Sequence, residues 1–271
     1  MRKTSLKIIT MLSLVLALSL AIISFYGAFV KGTYVHETPS MAAQGMGQDV
    51  VDLFIVLPLL LISLFFMWRN NKLAYFVFGG TLFYLLYSFV IYSLGVHFNN
   101  LFLWYCLTLG LSLYTFILMV SEMNRMEVES WFSHKLPARI IAGYLIIVAI
   151  LFYLIWFKDI VPAVLNSTIP KSISDYNLLV NPVHVIDISF VLPGLIVTAI
   201  FLIRKYRSGF IFAPIALVFI LLMALALIGV IVMLKVKGIT DETSVVGIFI
   251  ALAIISMVFL GYFIKSFKSA E

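Results

Sequence analysis

Val50-Val51-Asp52-Leu53-Phe54-Ile55-Val56-Leu57-Pro58 and Val185-Ile186-Asp187-Ile188-Ser189-Phe190-Val191-Leu192-Pro193 align without a gap, 135 residues apart. The register continues through Leu60/Leu195, Phe66/Phe201 and Arg69/Arg204, with 8 identities in the 29 positions from Val50 to Phe78. A greasy chain supplies apolar-for-apolar matches freely. An Asp, a Pro and an Arg at matched spacing are harder to obtain by chance. The pattern predicts two related halves.

The halves belong in lipid. Of 271 residues, 63% are apolar and only 11% charged, where soluble domains carry about 25%. The mean hydropathy is +1.15. A soluble fold of this length has too little interior to hide that much apolar surface. Eight runs are long enough to cross ~30 Å of hydrocarbon at about 1.5 Å per residue: about 6–30, 50–68, 74–95, 101–121, 139–157, 183–203, 209–234 and 243–264. The expected fold is an all-α bundle of two parallel four-helix repeats, 1–122 and 139–271, joined by a linker at 123–138. Four spans per repeat give both repeats one orientation, with a pseudo-symmetry axis along the membrane normal. The first run follows Arg2 and Lys3. It is too long for a signal-peptide core and no small-x-small cleavage site follows it, so it reads as a retained span.

The charge of +6 sets orientation. With the N-terminus inside, the inner segments hold 13 Lys and Arg and the outer segments 5. Both termini are therefore expected in the cytoplasm, and the chain in the plasma membrane as a multi-pass protein. No basic stripe with interleaved aromatics points to nucleic acid. Trp68, Trp104, Trp131 and Trp156 fall near span ends and read as interfacial anchors. Trp131 and Phe132 suggest an interfacial helix in the linker. The single cysteine, Cys106, excludes an intrachain disulfide and CxxC chemistry, and is expected as a small core residue. No phosphate loop, GxSxG elbow or HExxH zinc motif occurs, and no cofactor is implied.

The candidate chemistry lies at matched positions. Asp52 and Asp187 each precede a proline, Pro58 or Pro193, by six residues and an arginine by 17, which is ~25 Å along a helix. Each Asp is expected near the outer end of its span, where the helix dipole favours a carboxylate. Ionisable residues at membrane depth are also functional-site hypotheses. Asp49 with Asp52, and His184 with Asp187, are i, i+3 pairs that share a helix face. Pro58 and Pro193 are expected to kink their helices and to serve as hinges. Span 3 carries Tyr84 and Ser88. Span 4 carries Tyr105, Thr108, Ser112 and Thr115 at steps of 3, 4 and 3, a single stripe that must face another helix or a pore. Span 7 has no polar group from Phe210 to Leu234. A solute site is therefore expected mostly on spans 2, 3 and 4, with Asp187 and His184 reaching in. His36, His97 and His184 are expected on the outer side, where with the acids they form a weak candidate metal set. The fourth histidine, His134, is expected inside.

Three functions fit. The first is a secondary transporter or permease for a small solute or cation, using Asp49, Asp52, His184, Asp187, Tyr84, Ser88, Tyr105 and Thr108. The second is a non-catalytic membrane subunit whose span 7 and 122–138 segment contact a membrane-protein partner. The third and least favoured is a metal-dependent enzyme at the outer face.

Overall fold

The structure, a computed structural model, describes residues 1–133, 136–240 and 244–268. His134 lies outside them. The described chain is helical throughout, with eight helices long and apolar enough to cross a membrane: α1 (Lys3–Phe29), α2 (Pro39–Trp68), α3 (Lys72–Gly95), α4 (Phe102–Arg125), α5 (Ala138–Leu165), α6 (Pro182–Ile203), α7 (Arg207–Val236) and α8 (Val246–Lys265). A belt of side chains such as Leu103, Leu151 and Phe190 points outward, as a bilayer solvent requires.

α2 is longer than its apolar run. Thr38 caps it, accepting from the Met41 N–H at 3.3 Å, and Pro39 opens the first turn, where a missing N–H costs nothing. The segment expected as an outer loop is thus mostly helix. Asp52 stands thirteen residues into a 30-residue helix, ~20 Å from its start, and not near its end. The extension consists of small and weakly polar residues, which hydropathy does not register. Their use is close packing. Gly47 of α2 crosses Gly229 of α7 so tightly that a Cβ on Gly47 would lie 2.5 Å from the Gly229 carbonyl oxygen. Small residues let membrane helices approach backbone to backbone in this way.

Both aspartates open a π turn. Residues Asp52–Val56 and Asp187–Val191 are each one π turn, closed by the Leu57 N–H on the Asp52 carbonyl and the Leu192 N–H on the Asp187 carbonyl. The cause is the proline that follows. Pro58 and Pro193 lack an N–H and crowd the turn before them, and a widened turn accommodates the ring. In that register the next donor would be the proline itself, so the next carbonyl, Leu53 or Ile188, loses its helical partner. For Ile188 the loss is made good by the Tyr153 hydroxyl at 3.2 Å.

α1 to α4 pack in a ring, α1 touching α2 and α4, and α3 touching α2 and α4. α5 to α8 do likewise: α5 lies on α6, α6 on α7, α7 on α8, and the ring closes where the Tyr144 hydroxyl meets Ser256 at 2.8 Å. The rings meet through α7 against α2 and α3, and α3 against the start of α6. α7, the span without polar groups, is therefore central. This corrects its expected role as a partner-contact surface, since a helix apolar on every side can be buried in protein as well as in lipid. The converse correction is Cys106, which is exposed on the outside of α4.

The two termini share one end of the bundle, and that end is closed. The Arg2 guanidinium and the Arg125 guanidinium each reach Glu122 at 2.9 Å. The linker is not an interfacial helix. α4 runs on to Arg125, Glu127 turns the chain in a left-handed conformation (φ 48°), and only a short 3-10 turn, Val128–Trp131, follows. Phe132 is buried and not at a headgroup layer, with its ring 5.5 Å from Phe210, 5.4 Å from Phe263 and 5.2 Å from Phe267. Arg207 holds Glu129 at 2.7 Å beside this aromatic plug. Burial pushes the Glu129 carboxyl up, but the Arg207 hydrogen bonds more than reverse it, so it titrates below its usual range.

Candidate functional site

The first-half carboxylates sit in a buried cluster of hydroxyls. Asp49 and Asp52, one helical turn apart on α2, are both fully buried. The Tyr34 hydroxyl donates a short hydrogen bond to Asp49 Oδ2, and Tyr92 of α3 donates to Asp49 Oδ1 at 3.1 Å. Tyr84, two turns earlier on α3, donates to Asp52 Oδ1 at 2.7 Å. Room for Asp49 comes from Gly27 of α1, where any Cβ would strike the carboxylate. Tyr34 belongs to the loop after α1. Burial, with the Asp49 charge adding to it, pushes its phenol well above the usual range, so it remains a donor at all ordinary pH. Among the described residues no Lys, Arg or His forms an ion pair with Asp49, Asp52 or Asp187. Three carboxyl groups thus sit inside a membrane bundle with neutral partners, a costly arrangement.

The second-half carboxylate is placed differently. Asp187 is in the wall of a cavity of about 370 Å³, inside the 300–1,000 Å³ range of small-molecule sites. Trp156 of α5 donates its indole N–H to Asp187 Oδ2 at 2.8 Å. Tyr87 of α3 lines the same cavity wall as Asp187. α3 therefore lies between the two Asp helices, with Tyr84 bonded to Asp52 and Tyr87 beside the Asp187 cavity. The cavity runs from Tyr34, Glu37 and Tyr176, at the end away from the termini, down to Leu195, Phe219 and Leu252. Its wall is drawn from α2, α3, α5, α6, α7 and α8, and none of it from α4. Tyr34 and Tyr92 are in this wall and carry Asp49 behind it; Asp49 and Asp52 are not. A second, mostly apolar groove of about 770 Å³, between α3 and α6, shares Tyr87, Pro182 and Val191 with the first.

The remaining candidates disperse. Tyr84, Ser88, Tyr105 and Thr108 line neither cavity. The α4 stripe faces α1: Thr108 shares a 2.6 Å hydrogen bond with Ser19, Tyr105 receives Asn99 at 3.2 Å, and Ser112 donates to the Thr108 carbonyl at 2.7 Å. His184 is buried, its ring 4.7 Å from the Trp156 ring and tilted to it by 48°, and its Nε2 has no partner. His97 is bound to Glu37 through its backbone N–H at 2.6 Å and Nδ1 at 2.9 Å. His36 is exposed. Among the described residues no three His, Cys, Asp or Glu come close enough to hold a metal, so the histidine set is not gathered. Pro58 and Pro193 each stand in the turn just past a π turn.

Sequence reasoning missed Trp156, which is a cavity residue bonded to Asp187 and not an interfacial anchor. It also missed Tyr34, which had the look of a loop residue. The available signal was Trp156 lying within one apolar run, with further helix after it.

In comparisons with protein-family models, with curated proteins and with solved structures, nothing matches this chain.

Proposed function

We propose that the chain is a secondary transporter or permease that admits a small organic solute into the cavity beside Asp187. The observation that carries this reading is the cavity itself, about 370 Å³ in the core of a membrane bundle, with Asp187 in its wall. Such a site suits a solute with an apolar body and one cationic or hydrogen-bond-donating end. The Asp187 carboxylate has acceptor capacity beyond its bond from Trp156, and the Trp156 and Phe152 rings in the wall favour an organic ammonium. Asp49 and Asp52 then form a second, coupled polar centre, and Pro58 and Pro193 the hinges.

Alternating access fits the rest of the bundle. The π turns at matched positions and the two similar helix rings support two parallel four-helix repeats moving about an axis along the membrane normal. The excess of Lys and Arg near the terminal end supports cytoplasmic termini in the plasma membrane. In that orientation the aromatic plug and the Glu129–Arg207 pair close the inside while the cavity reaches outward.

The test is a melting-temperature screen of the purified chain against small organic ammonium ions and their neutral isosteres, followed by counterflow of any hit in proteoliposomes. The reading expects stabilisation by ammonium solutes that Asp187→Asn abolishes together with flux. Equal responses of wild type and Asp187→Asn, or no response to any solute, would overturn it.

A further inference from the structure

The Asp52 carboxylate is incompletely bonded, and so are the side chains around it. Its Oδ1 accepts from Tyr84, but its Oδ2 is buried without a partner. Among the described residues four other buried oxygens lack partners, Ser24 Oγ on α1, Ser88 Oγ and Ser93 Oγ on α3 and Thr115 Oγ1 on α4; Ser24 and Ser88 are on the helices packed against Asp52. A buried polar atom without a partner is costly, and such atoms call for an explanation such as an ion.

Helix register puts Ser24 and Ser88 on the faces turned towards Asp52. Ser88 is one turn from both Tyr84 and Tyr92, the residues of α3 that bond Asp52 and Asp49, so the stripe 84-88-92 faces the carboxylates. On α1, Gly27 abuts Asp49. α1 and α2 are antiparallel, so one turn towards the terminal end Ser24 comes opposite Asp52. A second contact between the same helices, the Trp68 indole N–H on Thr10 at 3.0 Å, gives the same register. Thr10 and Ser24, four turns apart, lie on the same side of α1. Asp187 is the contrast: the Trp156 indole bonds it, and neither of its oxygens is buried without a partner.

We propose that Asp52, Ser24 and Ser88 form a binding site for one dehydrated monovalent cation of the size of Na⁺. Tyr84 holds Oδ1 so that Oδ2 faces the ion. Asp49 already accepts a hydroxyl at each oxygen, so Asp52 is the one carboxylate of the pair with an oxygen left to ligate an ion. A single carboxylate ligand suits a monovalent ion. A divalent cation would leave excess charge in a low-dielectric interior and ordinarily draws on more carboxylates. The donors are all oxygen, which disfavours the softer transition metals. Three short-reach oxygens on closely packed helices suit the smaller Na⁺ better than K⁺. The site is separate from the solute cavity and does not depend on it. Sodium coupling would follow only if both hold.

The test uses the purified full chain in detergent at constant ionic strength, with NaCl or KCl replacing choline chloride and no solute present. Melting temperature and ²²Na⁺ binding are the readouts. NaCl is expected to raise the melting temperature and KCl not to. Asp52→Asn should abolish the response. Ser24→Ala and Ser88→Ala should each weaken Na⁺ binding at least about tenfold, while in choline they melt no lower than wild type because each removes a buried orphan hydroxyl. If Asp52→Asn does not fold, the double serine variant decides. No Na⁺ response in wild type, an equal response to K⁺, or full Na⁺ binding by the double serine variant would overturn the proposal. Because this readout involves no solute, its failure is distinct from a failure of the Asp187 screen.

Discussion

Replacing Gly47 by alanine tests how the two rings are locked together. The added methyl would lie 2.5 Å from the Gly229 carbonyl oxygen, 2.7 Å from Val230 Cα and 2.9 Å from the Gly229 carbonyl carbon. All three are backbone, so no side chain can swing aside. Ordinary contact requires α2 and α7 to part by about 1 Å. Overpacking of this kind costs about 1–3 kcal/mol. Alanine returns up to about 1 kcal/mol through helix propensity, which leaves a net loss of about 1–2 kcal/mol. For a chain of this size that is a fall of roughly 2–8 °C in melting temperature. Asp49 follows Gly47 by two residues, so the same displacement stretches the 3.1 Å bond from Tyr92. The control is Gly143→Ala on α5, where a Cβ meets nothing within 4 Å and the propensity gain should appear alone. Both variants are compared with wild type by tryptophan-fluorescence melting in one detergent. If Gly47→Ala melts no lower than Gly143→Ala, the backbone crossing of α2 and α7 is not as close as described.

Further outcomes follow from single contacts. Tyr34→Phe removes one of the two hydroxyl donors to a buried carboxylate, and should lower stability by about 1–3 kcal/mol, seen as a fall in melting temperature. The Glu129 carboxyl titrates below its usual range in the folded state, so its contribution is present above the ordinary carboxylate pKa and lost as pH falls through the depressed value. Melting curves of wild type and Arg207→Gln should therefore differ at neutral pH and converge in acid, by a small amount because Glu129 is only partly buried. Cys106 faces outward on α4. A lipid-soluble maleimide should label it in nanodiscs, and Cys106→Ser should shift stability by no more than about 0.5 kcal/mol.

The eight helices were legible because crossing lipid demands long apolar runs; α1, α3, α4 and α6 through α8 follow those runs closely, while α5 continues past its run to Leu165. The start of α2 was not legible. Pro39 to Asp49 is rich in small and uncharged polar residues, which look like a loop on a hydropathy scale but are what a backbone crossing such as Gly47–Gly229 requires. The inner and outer faces of the spans were illegible for a different reason. Lipid and protein core are both apolar, so the periodicity that separates core from surface in water is absent. Hence Cys106 read as core and is exposed, while α7 read as a contact surface and is central. The polar stripes carried more information. Tyr84 and Tyr92 on α3, and Tyr105 and Thr108 on α4, are buried as their helical spacing required, since hydroxyls avoid lipid. The sequence did not reveal that Asp52 and Asp187, though matched in register, have unlike surroundings. Asp187 gains Trp156 from α5 and a place in a cavity wall, and nothing in the Val50–Pro58 repeat encodes its neighbours on other helices.

The central claim is that the cavity beside Asp187 takes up solute from the end away from the termini. Thiol accessibility tests it without knowledge of the solute. In a Cys106→Ser background, Ala224→Cys places a thiol in the cavity wall, and Ala213→Cys places one on the same helix at a buried position outside it. A membrane-impermeant thiosulfonate is applied to each side of proteoliposomes in turn. The account predicts that Ala224→Cys reacts from the side opposite the termini far faster than Ala213→Cys. Equal, negligible rates for the two positions, or reaction of Ala224→Cys from the terminal side alone, would contradict it.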